Sequence, residues 1–140
     1  MKHPEFHTTP EISRRMSRVH LRRGKAETML AKAHKAAEEL DKEGVSCEII
    51  DLRTVFPYDK ETIQKSVAKT GRLVIAQEGV KCGGWAAEIS AMINEDVFEY
   101  LRSPIKRVTG LDSPMPFSPG LEDHVMPQQE DVVRAIRQVM

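Results

Sequence analysis

The chain has 140 residues, with 21 Lys and Arg against 21 Asp and Glu and 40% hydrophobic residues. That length suits a single domain with a hydrophobic core of its own, and the composition excludes wholesale disorder and fibrous repeats. The longest purely aliphatic run, Leu73 to Ala76, falls far short of the ~18 residues of a membrane span.

The first 25 residues stand apart. Lys2, Arg14, Arg15, Arg18, Arg22, Arg23 and Lys25 face only Glu5 and Glu11, and no acid occurs from Ile12 to Lys25. A solvated, poorly ordered basic lead-in is the first reading of residues 1–25, because disorder concentrates at termini. An organelle transit segment and a phosphate-backbone contact need similar charge, but Glu5 and Glu11 weaken the former and the lack of interleaved aromatics the latter. Neither nucleic acid nor membrane is an expected partner.

From residue 26 to 140 helix and strand signals alternate, the sequence form of βαβ units and a mostly parallel sheet in one domain. Thr28 to Lys42 reads as a helix, with Leu30, Ala33, Ala37 and Leu40 at helical spacing and Gly44 to stop it. Val45 to Leu52 reads as a strand. Asp59 is placed to cap a short helix that buries Ile63 and Val67 and ends at Gly71. Leu73 to Ala76 has the all-apolar form of a central strand covered on both faces. Gly83 and Gly84 then open what reads as the longest helix, with Trp85, Ile89, Ile93, Val97 and Leu101 as a core stripe and Pro104 as its end. Ile105 to Thr109 suits an edge strand because it carries Lys106 and Arg107. Asp112 to Pro127, with four prolines, reads as an extended surface connection. Gln128 to Met140 closes the chain as a helix with acids first and arginines later, in keeping with the helix dipole.

In a parallel α/β sheet, functional groups gather at the carboxyl ends of strands. There the sequence offers three carboxylates, Asp51, Glu78 and Asp112, as candidates for acid and base work. Arg53 or Arg107 are equally available as structural ion-pair partners for them, and that structural reading is preferred. Gly83-Gly84 before a helix could present amides to an anion, but neither GxGxxG nor GxxxxGK[ST] occurs, and close packing of helix on sheet explains the pair as well. His3 and His7 lie four apart across Pro4, while His34 and His124 have no Cys or carboxylate arrangement that specifies a site. Cys47 and Cys82 belong to no CxxC or Cys/His cluster and read as free thiols in a reducing compartment, the cytoplasm first and the mitochondrial matrix as the alternative. No complete catalytic set is visible.

The order of motifs from Lys35 onward is similar to a known family. Asp51-Leu52-Arg53-Thr54 followed by Pro57 and Asp59, Lys69-Thr70-Gly71-Arg72, Glu78, Gly83-Gly84 with Ala87-Glu88-Ile89, Ser103-Pro104, Arg107-Val108-Thr109-Gly110, Pro114 and Leu121-Glu122 occur in sequence. This series resembles the C-terminal domain of the β subunit of the E1 component of 2-oxoacid dehydrogenases. These are the thiamine-diphosphate-dependent pyruvate, branched-chain and acetoin enzymes of the transketolase group. The resemblance implies a three-layer α/β/α domain with a mixed sheet of four to five strands, mostly parallel. It also implies a role in subunit assembly and docking within an oxidoreductase that decarboxylates a 2-oxoacid and transfers the acyl group to lipoyl. The expected partners are the E1 α subunit, a second β subunit and the subunit-binding domain of the acyltransferase, E2. Thiamine diphosphate and magnesium would be held by the α subunit and the β subunit's N-terminal domain, not by this chain alone. Arg102, Lys106, Met140, Gly83, Gly84 and Trp85 are the candidate interface residues. A stand-alone binding or regulatory module with the same fold is the alternative.

Two departures from the family pattern stand out. Glu27 runs almost directly into Thr28-Met29-Leu30, where relatives place an apolar strand. Either that core strand is missing or Arg18-Val19-His20-Leu21 replaces it with a far more basic sequence, and lower stability or pairing borrowed from a partner is expected. The residue before Ser103-Pro104 is commonly acidic in relatives that grip the acyltransferase's basic module, whereas here it is Arg102, which is expected to oppose that docking.

Overall fold

The computed structural model describes the backbone of Met16–His20 and the whole of residues 29–140. The transit, nucleic-acid and His3/His7 readings lie outside the described residues. Four strands, β1 (Met16–His20), β2 (Cys47–Asp51), β3 (Leu73–Val80) and β4 (Lys106–Gly110), form one sheet in the order β2-β1-β3-β4, and every pairing is parallel. Among the described residues five α-helices accompany them: α1 (Met29–Asp41), α2 (Lys60–Thr70), α3 (Trp85–Asp96), α4 (Pro119–Val125) and α5 (Gln129–Arg137).

Three layers follow from the period-two alternation of β3. Val74 and Ala76 face one way, into a core shared with Met29, Ala36 and Leu40 of α1 and Val132, Val133 and Ile136 of α5. Leu73 and Ile75 face the other way, into a core with Ile63 and Val67 of α2 and Ile89 and Ile93 of α3. All four β3 residues are essentially inaccessible, as an internal strand between two helical layers requires.

The alternative in which a basic segment replaces the missing strand is the one found, two residues earlier than expected. Val19 lies in register with Ile50 on one side and Ile75 on the other, so β1 occupies the middle of the sheet. The sheet thus draws an internal strand from within the basic first 25 residues. A fifth strand is not found among the described residues.

The local signals for α2 act as expected. Asp59 Oδ1 accepts the Thr62 N–H at 3.0 Å, Gly71 closes the helix at φ 68, and Ile63 and Val67 are buried. Two other expectations are corrected. α3 stops at Asp96, eight residues before Pro104, and its 12 residues make it shorter than the 13 of α1. A 3-10 turn at Phe98–Tyr100 follows, and its tighter winding keeps Val97 and Leu101 against the same core as Ile89 and Ile93, which is why the stripe reads as one helix. The Pro-rich stretch is not wholly extended either, since Ser118 at the N-cap and Pro119 at the first helical position start α4.

Candidate functional site at the carboxyl ends of the strands

The three candidate carboxylates sit at the ends of three strands, and each is engaged in its own place. Asp51 closes edge strand β2, where its carboxylate accepts the Arg53 N–H at 3.3 Å and lies 3.8 Å from the Arg53 guanidinium. This contact holds Arg53 in the left-handed region at φ 55, an unusual conformation for a residue with a side chain. Asp112 follows β4 and reaches back to β3: its Oδ1 accepts the amides of Lys81 at 2.9 Å and Cys82 at 3.0 Å. The backbone nest ahead of Gly83 is therefore filled by the protein's own carboxylate.

Glu78 is half-buried in β3. Burial pushes its carboxyl pKa up, opposed by a hydrogen bond from the Met29 N–H at the start of α1 and by the charge of Lys32. Lys32 in turn donates to the Pro127 carbonyl and the Gln128 side chain, each at 2.9 Å, tying α1 to the start of α5. Arg107 donates to the Lys81 carbonyl at 3.4 Å. Paired acid and base chemistry needs two groups on one reacting centre, and these three carboxylates serve three separate local structures.

Gln77 is the residue that sequence reasoning missed. It is 1% exposed, its Oε1 accepts the Ala86 N–H at 2.9 Å, and its Nε2 donates to the carbonyls of Val80 at 2.6 Å and Gly79 at 3.3 Å. One side chain thus satisfies a first-turn amide of α3 and the carbonyls of the turn before it. The available signal was a lone polar residue ending the run Leu73 to Ala76. Gly84 has to be glycine for the same reason: a Cβ there would stand 2.1 Å from Gln77 Nε2 and 2.6 Å from the Val80 carbonyl oxygen. Gly83 adopts φ 68, and Trp85 packs half-buried on the α2/α3 core. Gly84 thus provides close packing of helix on sheet, whereas Gly83, with open space around it, provides the left-handed turn.

Arg102 and Met140, far apart in the chain, are brought into one neighbourhood by Arg72. The Arg102 amide donates to the Gly71 carbonyl at 2.8 Å, and the Arg72 Nε donates to the Val139 carbonyl at 2.8 Å. Burial lowers the Arg72 pKa, and the adjacent Arg102 charge lowers it further. Lys106 lies elsewhere, opposite Val74 at the start of β4.

A groove of about 660 Å³ runs between α3 and the segment 101–105, lined by Ala91, Asn94, Phe98, Leu101, Ser103 and Ile105 among others. No titratable side chain lines it, and the Ser103 Oγ is buried there without a hydrogen-bond partner among the described residues. Apolar side chains also stand open beyond the strand ends: Phe56 is 88% and Phe117 fully exposed, and Leu111, Met115 and Leu121 are each about half exposed. Among the described residues no group of three His, Cys, Asp or Glu can hold a metal, and no helix is long and apolar enough to cross a membrane. Neither Cys47 nor Cys82 is in a disulfide among the described residues. With each strand-end carboxylate engaged locally, the described residues do not fit thiamine diphosphate with its magnesium.

Comparison with known proteins bears on these surfaces. The family model described as "Transketolase, C-terminal domain" matches residues 27–132. The chain is 49% identical over 109 residues to the pyruvate dehydrogenase E1 component subunit beta-1, mitochondrial, of Oryza sativa subsp. japonica, covering 78% of this chain and 29% of the relative. It is 57% identical over 88 residues to the 2-oxoisovalerate dehydrogenase subunit beta, mitochondrial, of Dictyostelium discoideum, covering 63% and 23%. A solved structure titled "Split gene transketolase, inactive beta4 tetramer" superposes with a TM-score of 0.76 at 25% identity, over 91% of this chain and 39% of that one. The chain spans less than a third of the length of these two curated relatives.

Proposed function

Because the chain belongs to the transketolase C-terminal domain family, we propose that it is the C-terminal domain of a 2-oxoacid dehydrogenase E1 β subunit and serves assembly and docking. The observation that carries this reading is what stands at the carboxyl ends of the strands. An α/β enzyme gathers reactive polar groups there. This chain instead ties up Asp51 and Asp112 in backbone contacts and leaves Phe56, Leu111 and Phe117 open to solvent. Exposed apolar side chains of that size mark surfaces that meet another protein. The neutral groove beside Phe98 suits packing in the same way.

On this reading the decarboxylation of the 2-oxoacid and acyl transfer to lipoyl belong to the whole assembly. Thiamine diphosphate and magnesium are held by the E1 α subunit and the β subunit's N-terminal domain. The partners are that α subunit, a second β subunit and the subunit-binding domain of the acyltransferase, and the place is the mitochondrial matrix, as the names of the two relatives suggest. Arg102, beside Arg72 and Met140, gives the docking face a positive charge that disfavours a basic module.

Affinity isolation of the chain from its native lysate, with mass-spectrometric identification and a light-scattering mass, tests the proposal. Recovery of an E1 α subunit or an acyltransferase is the expected result. A bare, folded chain overturns it in favour of a stand-alone module. Arg102→Glu is expected to strengthen binding of the acyltransferase's subunit-binding domain, and unchanged affinity would move that docking surface elsewhere.

A further inference from the structure

A different surface lies along β4, an edge strand among the described residues. There Lys81 from the turn after β3, Lys106 and Arg107 from β4, and Arg134 and Gln138 from the end of the chain line a cleft of about 220 Å³. Several of the described basic side chains elsewhere have carboxylate partners: Arg53 meets Asp51, Lys60 meets Asp96, Lys65 meets Glu61, Lys69 meets Glu48, and Arg137 meets Glu39 and Glu43. Lys81, Lys106 and Arg107 have none among the described residues. The one acid lining the cleft is Asp131, and both of its oxygens are engaged, one by Arg134 and the other by the Gln128 amide at 2.9 Å. Asp112 is held by the amides of Lys81 and Cys82.

Three cations from the turn after β3 and from β4, beside the Arg134–Asp131 pair, leave a local excess of positive charge, which an anion relieves. We infer that this cleft is a binding site for a small multivalent oxyanion of the phosphate or diphosphate class, taken up without a metal. Size and chemistry both point that way. A cleft of about 220 Å³ is smaller than the roughly 300 to 1,000 Å³ of sites for larger organic ligands, yet ample for a phosphoryl group. The Arg107 guanidinium offers a planar fork of donors, Lys81 and Lys106 add point charges, and Thr109 and Gln138 supply neutral donors at the rim. No carboxylate in the cleft is free to coordinate magnesium, so the anion is neutralised by side-chain cations alone.

The test is titration of the full chain with sodium pyrophosphate and with inorganic phosphate, in low salt with a chelator present, followed by amide chemical shifts and by heat. Saturable shifts at Lys81, Thr109 and Gln138 are expected, tighter for pyrophosphate than for phosphate and weakened by added salt. Lys106→Gln and Arg107→Gln should each weaken pyrophosphate binding about tenfold or more, whereas Lys60→Gln, remote and paired with Asp96, should not. Should Arg107→Gln fail to fold, Arg134→Gln at the exposed rim replaces it with the same expected direction. Absence of saturation by about 10 mM pyrophosphate overturns the site, since that leaves less than ~3 kcal/mol of affinity. Equal weakening by Lys60→Gln overturns it as well. Tighter binding of hexaglutamate than of pyrophosphate at the same residues would also overturn it, because the cleft would then be a face for an acidic protein.

Discussion

β1 and β3 lie side by side in the middle of one parallel sheet, yet they share almost nothing in composition. β3 opens with Leu73-Val74-Ile75-Ala76, four residues without measurable exposure beyond 1%, and reads as a buried strand on sight. β1 is Met16-Ser17-Arg18-Val19-His20, in register over all five residues with β2 and from Ser17 to His20 with β3. A parallel strand flanked on both sides satisfies its amides and carbonyls through its neighbours, so its place is set by backbone pairing as much as by side-chain hydrophobicity. What the difference teaches is that an apolar run is a sufficient sign of an internal strand and not a necessary one.

The most severe way to break this comparison is Val19→Pro. Proline removes the N–H that an internal strand must donate, and loss of the cooperative thermal transition is expected, read by circular dichroism. A variant that melts like the parent would show that β1 is not needed in the sheet. Ile75→Ala acts instead through side-chain volume in β3 and is expected to cost about 2 to 5 kcal/mol, measured by urea unfolding with an unchanged slope. Gln77→Leu keeps the volume but strands the Ala86 amide and the Val80 carbonyl, for a loss of about 1 to 3 kcal/mol. Gly84→Ala should be destabilising through the same clamp, since the new methyl group would meet Gln77.

The smallest effect concerns Glu78, further along β3, and appears as a slope against pH. Its carboxyl pKa is raised in the folded state, so the folded chain holds that proton more tightly than the unfolded one. The resulting stability is fully present below the ordinary value of 4.5 and is lost as pH rises through the raised value. Glu43, held down by Arg137, and Asp59, held down by Thr62, have the opposite sign, and their contribution disappears as pH falls through their lowered values. Glu78→Gln is therefore expected to flatten the rise in melting temperature from neutral pH down to about 4.5 and to leave the acid limb in place. An unaltered profile would mean that Glu78 keeps its ordinary affinity for protons.

Much of the frame was legible in the residues. Asp59 and Gly71 marked the ends of α2 because a side-chain cap and a left-handed glycine are local chemistry, decided within four residues of chain. The extent of α3 was not legible, because the 3-10 turn after Asp96 preserves the four-residue recurrence that suggested a longer helix. α4 was hidden by its prolines, since Pro119 reads as a breaker unless Ser118 is recognised as the residue that starts a helix. At the strand ends, the sequence put forward Asp51, Glu78 and Asp112 as a possible group. Folding sent Asp51 to Arg53, Glu78 to the start of α1, and Asp112 to the turn before Gly83.

By itself, the sequence determined the alternation of helix and strand, the central position of Leu73 to Ala76, and the family to which the motifs from Asp51 to Glu122 point. Those features rest on short-range periodicity, on caps and on residue types in order along the chain. The tertiary structure alone decided that the polar segment Met16–His20 is an internal strand, that Gln77 clamps α3, and that four basic residues drawn from the β3–α3 turn, β4 and α5 share one cleft. Each of these depends on groups separated along the chain meeting in space: Val19 and Ile75 are 56 residues apart, Lys81 and Arg134 53, and Gln77 and Ala86 nine. Long-range pairing of backbone and charge is set by the whole packed core, and no local window of sequence contains it.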